Sequence, residues 1–119
     1  MIKIINLEEI KKIDFFESII ENIKFDSKSD FSDIIISISL FWKFLDKQNA
    51  KVKFMNCSKI ILNTKKNNIK KRNDKHICIY EIDEIKINSE LSGYNVKIET
   101  NYCSDFIELF CENINVYLE

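Results

Sequence analysis

The chain reads as a mainly β, antiparallel domain, a sandwich or strongly curled sheet with one short helix near the N-terminus. Three observations predict it. Apolar and polar residues alternate with the two-residue period of half-buried strands in at least three places, most clearly at Tyr94, Val96, Ile98 and Thr100. The segment Asn88 to Gly93 holds the only glycine and separates two such alternations, as a hairpin turn does. A strand-like phrase then occurs twice: Met55-x-Cys57-x-x-Ile60-x-Leu62 matches Leu109-x-Cys111-x-x-Ile114-x-Val116, offset by 111 − 57 = 54 residues.

The N-terminal element is helical. Asn6 can cap it, Glu8 and Glu9 suit its positive end, and Lys11 and Lys12 suit the other. Leu7, Ile10 and Ile13 supply the apolar stripe. Ile19, Ile23 and Phe25 then read as extended, and Asp26 to Asp30 (DSKSD) reads as a turn or loop.

Ile34, Ile36, Ile38, Leu40 and Trp42 form the longest alternation of the first half. Ile35 and Phe41 interrupt its polar side, which predicts a strand covered on both faces over part of its length. Lys43 to Asn49 is polar and turn-like. Lys51 to Cys57 and Lys59 to Asn63 follow as a strand, bulge and strand.

Lys65 to Lys75 carries six basic residues against Asp74 and shows no periodicity, so it is expected to be a long, mobile connection. His76 to Asn88 resumes as strand, with a kink expected at Glu81 to Glu84. In the last stretch Ile107, Leu109 and Cys111 fall on odd positions, and Ile114, Val116 and Leu118 on even ones. The parity flips across Glu112-Asn113, which requires a bulge or bend, because one extra residue turns every later side chain over. Phe106 and Phe110 fall opposite Ile107 and Leu109, so that strand is either covered on both sides or exposes an aromatic patch. The count comes to seven to nine strands in a single β-rich domain over residues 1–119.

The 119 residues suffice for one buried core without staples. A hydrophobic fraction of 45% with 31% charged residues is ordinary for a soluble globular chain. The net charge of −1 excludes a strongly basic nucleic-acid binder by bulk charge, and the basic run lacks interleaved aromatics for base stacking. No apolar run reaches the roughly 18 residues of a membrane span. The N-terminus lacks the apolar core of a signal peptide, so a cytoplasmic protein is expected. Cys57, Cys78, Cys103 and Cys111 form no C-x-x-C pair and read as free structural thiols.

Nothing in the chain spells a catalytic or cofactor motif. His76, the single histidine, has no partner at ligand spacing and reads as a surface residue. There is no nucleophile elbow, P-loop or dinucleotide fingerprint, and one glycine makes a phosphate cradle a poor fit. The expectation is no catalytic residues, no metal and no cofactor. Charge is nevertheless separated. The basic run contributes +5, which leaves −6 for the rest of the chain, and nine acidic residues against Lys86 and Lys97 follow from Glu81 onward. Such separation can steer a charged partner.

One resemblance bears on function. The phrase Asp14-Phe15-Phe16-Glu17-Ser18-Ile19-Ile20, continuing as IIENIKFDS into the strand DIIISISLFW, resembles the opening of small bacterial immunity-type proteins. In those, a Phe-His-Asp-Ser-like phrase precedes a strand. Lys53 to Ile60 looks like their strand and bulge of the form F-x-x-[VC]-x-x-[IL]. The chain departs from the pattern at Phe16-Glu17, where the His-Asp would stand, so no functional residue carries over. The resemblance implies a β-rich, non-enzymatic protein that binds and neutralises a cognate toxin of a polymorphic or contact-dependent system. On this reading the acidic C-terminal strands are the contact face, with Glu99, Glu108 and Glu112 as its foremost residues. The alternative is a small-ligand-binding or enzymatic β-barrel or sandwich of unknown substrate. A concave cavity with convergent polar groups would favour it.

Overall fold

The structure, a computed structural model, describes residues 2–27, 31–40, 48–63, 69–72, 75–78, 80–100 and 106–118. Its elements are β1 (Ile2–Ile4), α1 (Leu7–Lys11), β2 (Ile19–Ser27), β3 (Ser32–Leu40), β4 (Gln48–Asn63), β5 (Ile69–Arg72), β6 (Lys75–Cys78), β7 (Tyr80–Glu90), β8 (Gly93–Thr100), β9 (Phe106–Cys111) and β10 (Asn113–Leu118). Eight strands form one antiparallel sheet in the order β1-β10-β4-β3-β2-β7-β8-β9, and β4 also pairs with β9. That last pairing brings the sheet back onto itself, so of the two expected architectures the strongly curled sheet is the one found.

The ring is steeply staggered. Following partners from Asn49 through Ser39 and Ile19 to Glu81, then from Thr100 beside Ile82 through Glu99 and Phe106, the path returns to β4 at Asn63. Asn63 lies fourteen residues beyond the starting point. Closing a sheet requires strand tilt and stagger of this kind. It also explains why β4, at 16 residues, is the longest strand: its first part lies between β3 and β10 and its last part beside β9.

Two bulges bend β4 between those parts. Met55 and Asn56 together oppose Asp33, and Lys59 and Ile60 together oppose Leu109. Asn56 and Lys59 both take left-handed backbone at φ 53. In a chain with one glycine, Asn is the natural occupant of such a site; Lys59 carries more strain. The bend expected across Glu112-Asn113 is present. Residues 107, 109 and 111 are buried before it and 114 and 116 after it, and the Glu112 amide donates to the Met55 carbonyl at 3.0 Å. The two copies of the repeated phrase are therefore partners in one ladder, β4 against β9–β10. The register between Met55–Asn113 and Ser58–Phe110 sets Cys57 opposite Cys111. Further bulges fall at Glu21 in β2 and at Asp83 in β7, the latter within the kink expected at Glu81 to Glu84.

The interior is packed with side chains. Ile34, Ile36, Ile38 and Leu40 of β3, Val52 and Phe54 of β4, Val96 and Ile98 of β8, and Ile107 and Leu109 of β9 are buried. The helix closes one side of this core. Asn6 accepts from the amides of Glu8 (2.9 Å) and Glu9 (3.4 Å), satisfying two orphan donors of the first turn, and Ile10 is buried. The hairpin falls where expected, with Leu91-Ser92 between paired Glu90 and Gly93. The glycine is required there by space rather than by backbone conformation. Its φ is not positive; a Cβ there would collide with the carbonyl oxygen of Cys111 and crowd the Phe110 ring.

The structure corrects three expectations. The basic run is not simply a connection: Ile69–Arg72 pairs with Lys75–Cys78 as a separate two-stranded hairpin, because backbone pairing needs no apolar period. Among the described residues the strands number ten, the additions being β5 and the three-residue β1, which pairs with β10. Phe106 and Phe110 are neither core nor an open patch but half-buried on the outward face. Residues 28–30 of the DSKSD loop, most of the Lys43–Asn49 turn, Phe41, Trp42 and Cys103 lie outside the described residues, as do the side chains of His76 and Cys78.

Candidate interaction face on β7, β8 and β9

The pleat that sends Val96, Ile98, Ile107 and Leu109 inward sends the intervening residues outward. Cross-strand register then arranges the outward face in rows. Glu84 of β7 stands beside Glu99 of β8 and Phe106 of β9; Lys86 stands beside Lys97 and Glu108; Asn88 stands beside Asn95 and Phe110. Two of the three carboxylates singled out in the sequence, Glu99 and Glu108, therefore share this face.

Like charges would meet along two of these rows, and the side chains cross to avoid it. The Lys86 ammonium donates to Glu99 Oε1 at 3.0 Å and lies 4.0 Å from Glu84 Oε2. The Lys97 ammonium lies 3.8 Å from the same Glu99 oxygen and 4.9 Å from the centre of the Phe106 ring. Glu99 is thus shared by two lysines. Its hydrogen bond, and then its charge and that of Glu84, hold Lys86 more firmly protonated than an isolated lysine. Glu108 makes no ion pair among the described residues, although Lys97 is its cross-strand neighbour. A shallow depression of about 130 Å³ lies between Lys86, Asn88, Asn95, Lys97 and Glu108.

Glu112 sits four residues past Glu108, at the bend, where its carboxylate accepts from the Asn56 amide at 3.0 Å. It belongs to a polar cluster that the sequence did not reveal. Asp33 is 1% exposed; one of its oxygens accepts from the Asn56 backbone N–H at 3.0 Å and the other lies 3.8 Å from the Lys53 ammonium. Asp33 lies on the polar side of the β3 alternation, opposite in parity to Ile34 and Ile36, yet it is buried where the β4 bulge faces it. The signal that could have located it is the Asn in the Met55-Asn56-Cys57 phrase, a non-glycine suited to left-handed backbone.

Cys57 and Cys111 are buried and unbridged, and desolvation pushes their thiols up to about 11 and about 12, so neither forms a thiolate at neutral pH. Among the described residues no group of three or more His, Cys, Asp or Glu side chains could hold a metal ion. A second concavity of about 240 Å³ lies beneath α1, walled by Leu7, Ile10, Met55, Tyr94 and Ile114 and rimmed by Asn113 and Asn115. Among the described residues no helix is long and apolar enough to cross a membrane. Compared with known protein families, with curated proteins and with solved structures, the chain matches none.

Proposed function

We propose that this chain is a non-enzymatic protein-binding domain of immunity type, which neutralises a cognate bacterial toxin by occupying its surface. The contact face is the outward side of β8 and β9, with Glu99 and Glu108 on it and Glu112 at its border. The observation that carries this reading is the charge arrangement of the β7–β9 face. Both of its lysines are engaged by Glu99, which leaves Glu108 to receive a cation from outside. The filled interior supports the same reading, since a packed ring offers its outer surface rather than a central cavity. Complementary charge gives such a complex its orientation and on-rate, and half-buried Phe106 and Phe110 supply apolar contact beside the carboxylates.

The test is to look for a neighbouring open reading frame that ends in a toxin-like domain, and then to assay co-purification with that domain and rescue of cells that express it. Glu108→Lys should weaken capture at least about tenfold, with the loss most pronounced at low salt. A well-folded protein that neither binds nor rescues would remove the immunity reading. The concavity beneath α1 favours the alternative, a small-ligand protein, because apolar walls and two amides converge there. Its 240 Å³ is below the range of about 300–1,000 Å³ typical of such sites.

A further inference from the structure

We infer that β7 offers an open edge which accepts an extended segment of the partner, with apolar residues on one side and lysine or arginine at two outward positions six residues apart. The inference rests on the protein-binding reading above and specifies how the partner docks.

β7 is paired with β8 along its length, but on its other flank only Tyr80 and Glu81 meet β2. The local reason is a turn. Ile82 still exchanges hydrogen bonds with Glu17 and Ser18, at 2.9 and 2.7 Å, but the Ser18 amide donates back to Phe15 and Glu17 takes left-handed backbone at φ 63. That turn carries the preceding chain off the strand. From Asp83 to Glu90 no backbone partner faces the far flank among the described residues. Every second N–H and C=O of an antiparallel strand points to that flank, so the edge is a template for one more strand.

Burial across the inner row gives an independent indication. Ile98 and Val96 of β8 are fully buried, whereas their partners Ile85 and Ile87 on β7 are only half-buried. The apolar layer therefore thins at this edge, and apolar side chains on an added strand would complete it. The outward positions set the charge. Glu84 and Glu90 are exposed carboxylates, and Lys86 between them is held by Glu99. A segment with cations beside Glu84 and Glu90, and an acidic residue beside Lys86, complements all three. This edge adjoins the face that carries Glu99 and Glu108, so one partner can cover both.

The probe is a labelled peptide, Lys-Val-Asn-Val-Glu-Val-Lys, titrated against the intact protein by fluorescence anisotropy, with amide exchange read residue by residue. Saturable binding is expected, with slowed exchange of alternate amides between Asp83 and Glu90. N-methylation of alternate peptide amides, or Glu84→Lys with Glu90→Lys in the protein, should weaken binding about tenfold. The peptide Glu-Val-Asn-Val-Glu-Val-Glu, which keeps its acidic residue beside the unchanged Lys86, should restore it to the double variant. Absence of binding at millimolar peptide, protection elsewhere, indifference to N-methylation, or self-association of the free protein through β7 would each overturn the inference. Peptide binding without toxin rescue would overturn the immunity reading and leave the edge assignment standing. Full rescue by Glu84→Lys with Glu90→Lys would do the reverse.

Discussion

Replacing Asp33 with alanine is predicted to loosen the corner on which the ring closes. The carboxylate is 1% exposed and holds the backbone N–H of Asn56 at the first bulge of β4. Removing it leaves that part-buried donor without its carboxylate, a loss of about 1–3 kcal/mol. The Lys53 contact adds little, about 0–1 kcal/mol, because its 3.8 Å separation and the 31% exposure of the lysine leave it screened. A loss of about 1–4 kcal/mol is expected, out of the 5–15 kcal/mol typical of a domain. Asp33→Asn keeps an oxygen in place for the Asn56 amide and should lose about 1 kcal/mol. Urea unfolding followed by circular dichroism measures both, provided the slope with denaturant is unchanged. If Asp33→Ala falls within about 0.5 kcal/mol of the parent, the bulge is not held by the carboxylate. If Asp33→Asn is as damaging as alanine, charge rather than the accepted hydrogen bond is what matters.

Three further outcomes are predicted. Gly93→Ala should destabilise by about 1–3 kcal/mol, since the new methyl meets the rigid Cys111 carbonyl; unchanged stability would show that β8 and β9 separate freely there. Asn6→Ala should lose about 1 kcal/mol by uncapping α1, readable in the same urea titration, with Asn6→Asp losing much less. Stability should fall as pH rises above about 9. There the unfolded chain sheds thiol protons that the fold retains on Cys57 and Cys111, whose pKa values stand at about 11 and about 12, so the unfolded state binds fewer protons. Replacing both cysteines with alanine should flatten that part of the pH profile.

Local features were legible in the sequence to the extent that their causes are local. The Asn6 cap with its flanking charges, the alternation of β3 and β8, and the parity flip at Glu112 are each set by neighbours within a few residues, and each stands where it was read. Features set by distant partners were not legible. Three residues, Ile2–Ile4, carry too short a pattern to identify a strand; β10, more than a hundred residues on, makes them one. Ring closure through β4 and β9 follows from stagger, which no single strand encodes. Of the site residues, Glu99 and Glu108 could be assigned to one outward face by counting parity, while the sharing of Glu99 by Lys86 and Lys97 depends on register. Asp33 was hidden because its burial is produced by a bulge in another strand.

The closure through β4 also sets an order of events in time. The β7–β8 hairpin joins residues as close as Glu90 and Gly93, so it can form within microseconds. The ladder that shuts the ring joins Asn63 to Phe106 and Ala50 to Leu118, 43 and 68 positions apart. Until both ends meet, the chain bears the entropy of a large loop with none of the reward. The predicted folding is therefore slow, in the millisecond-to-second range of sheet proteins with distant pairings, with closure of β4 upon β9 and β10 as the late step. Joining the present ends by a linker and opening the chain within residues 64–68 would leave β4 at the new C-terminus, after β10. In that order Asn63 would stand at least 76 positions from Phe106 instead of 43, so closure of β4 upon β9 should slow, and an unchanged folding rate in such a permutant would argue that closure is not what limits it.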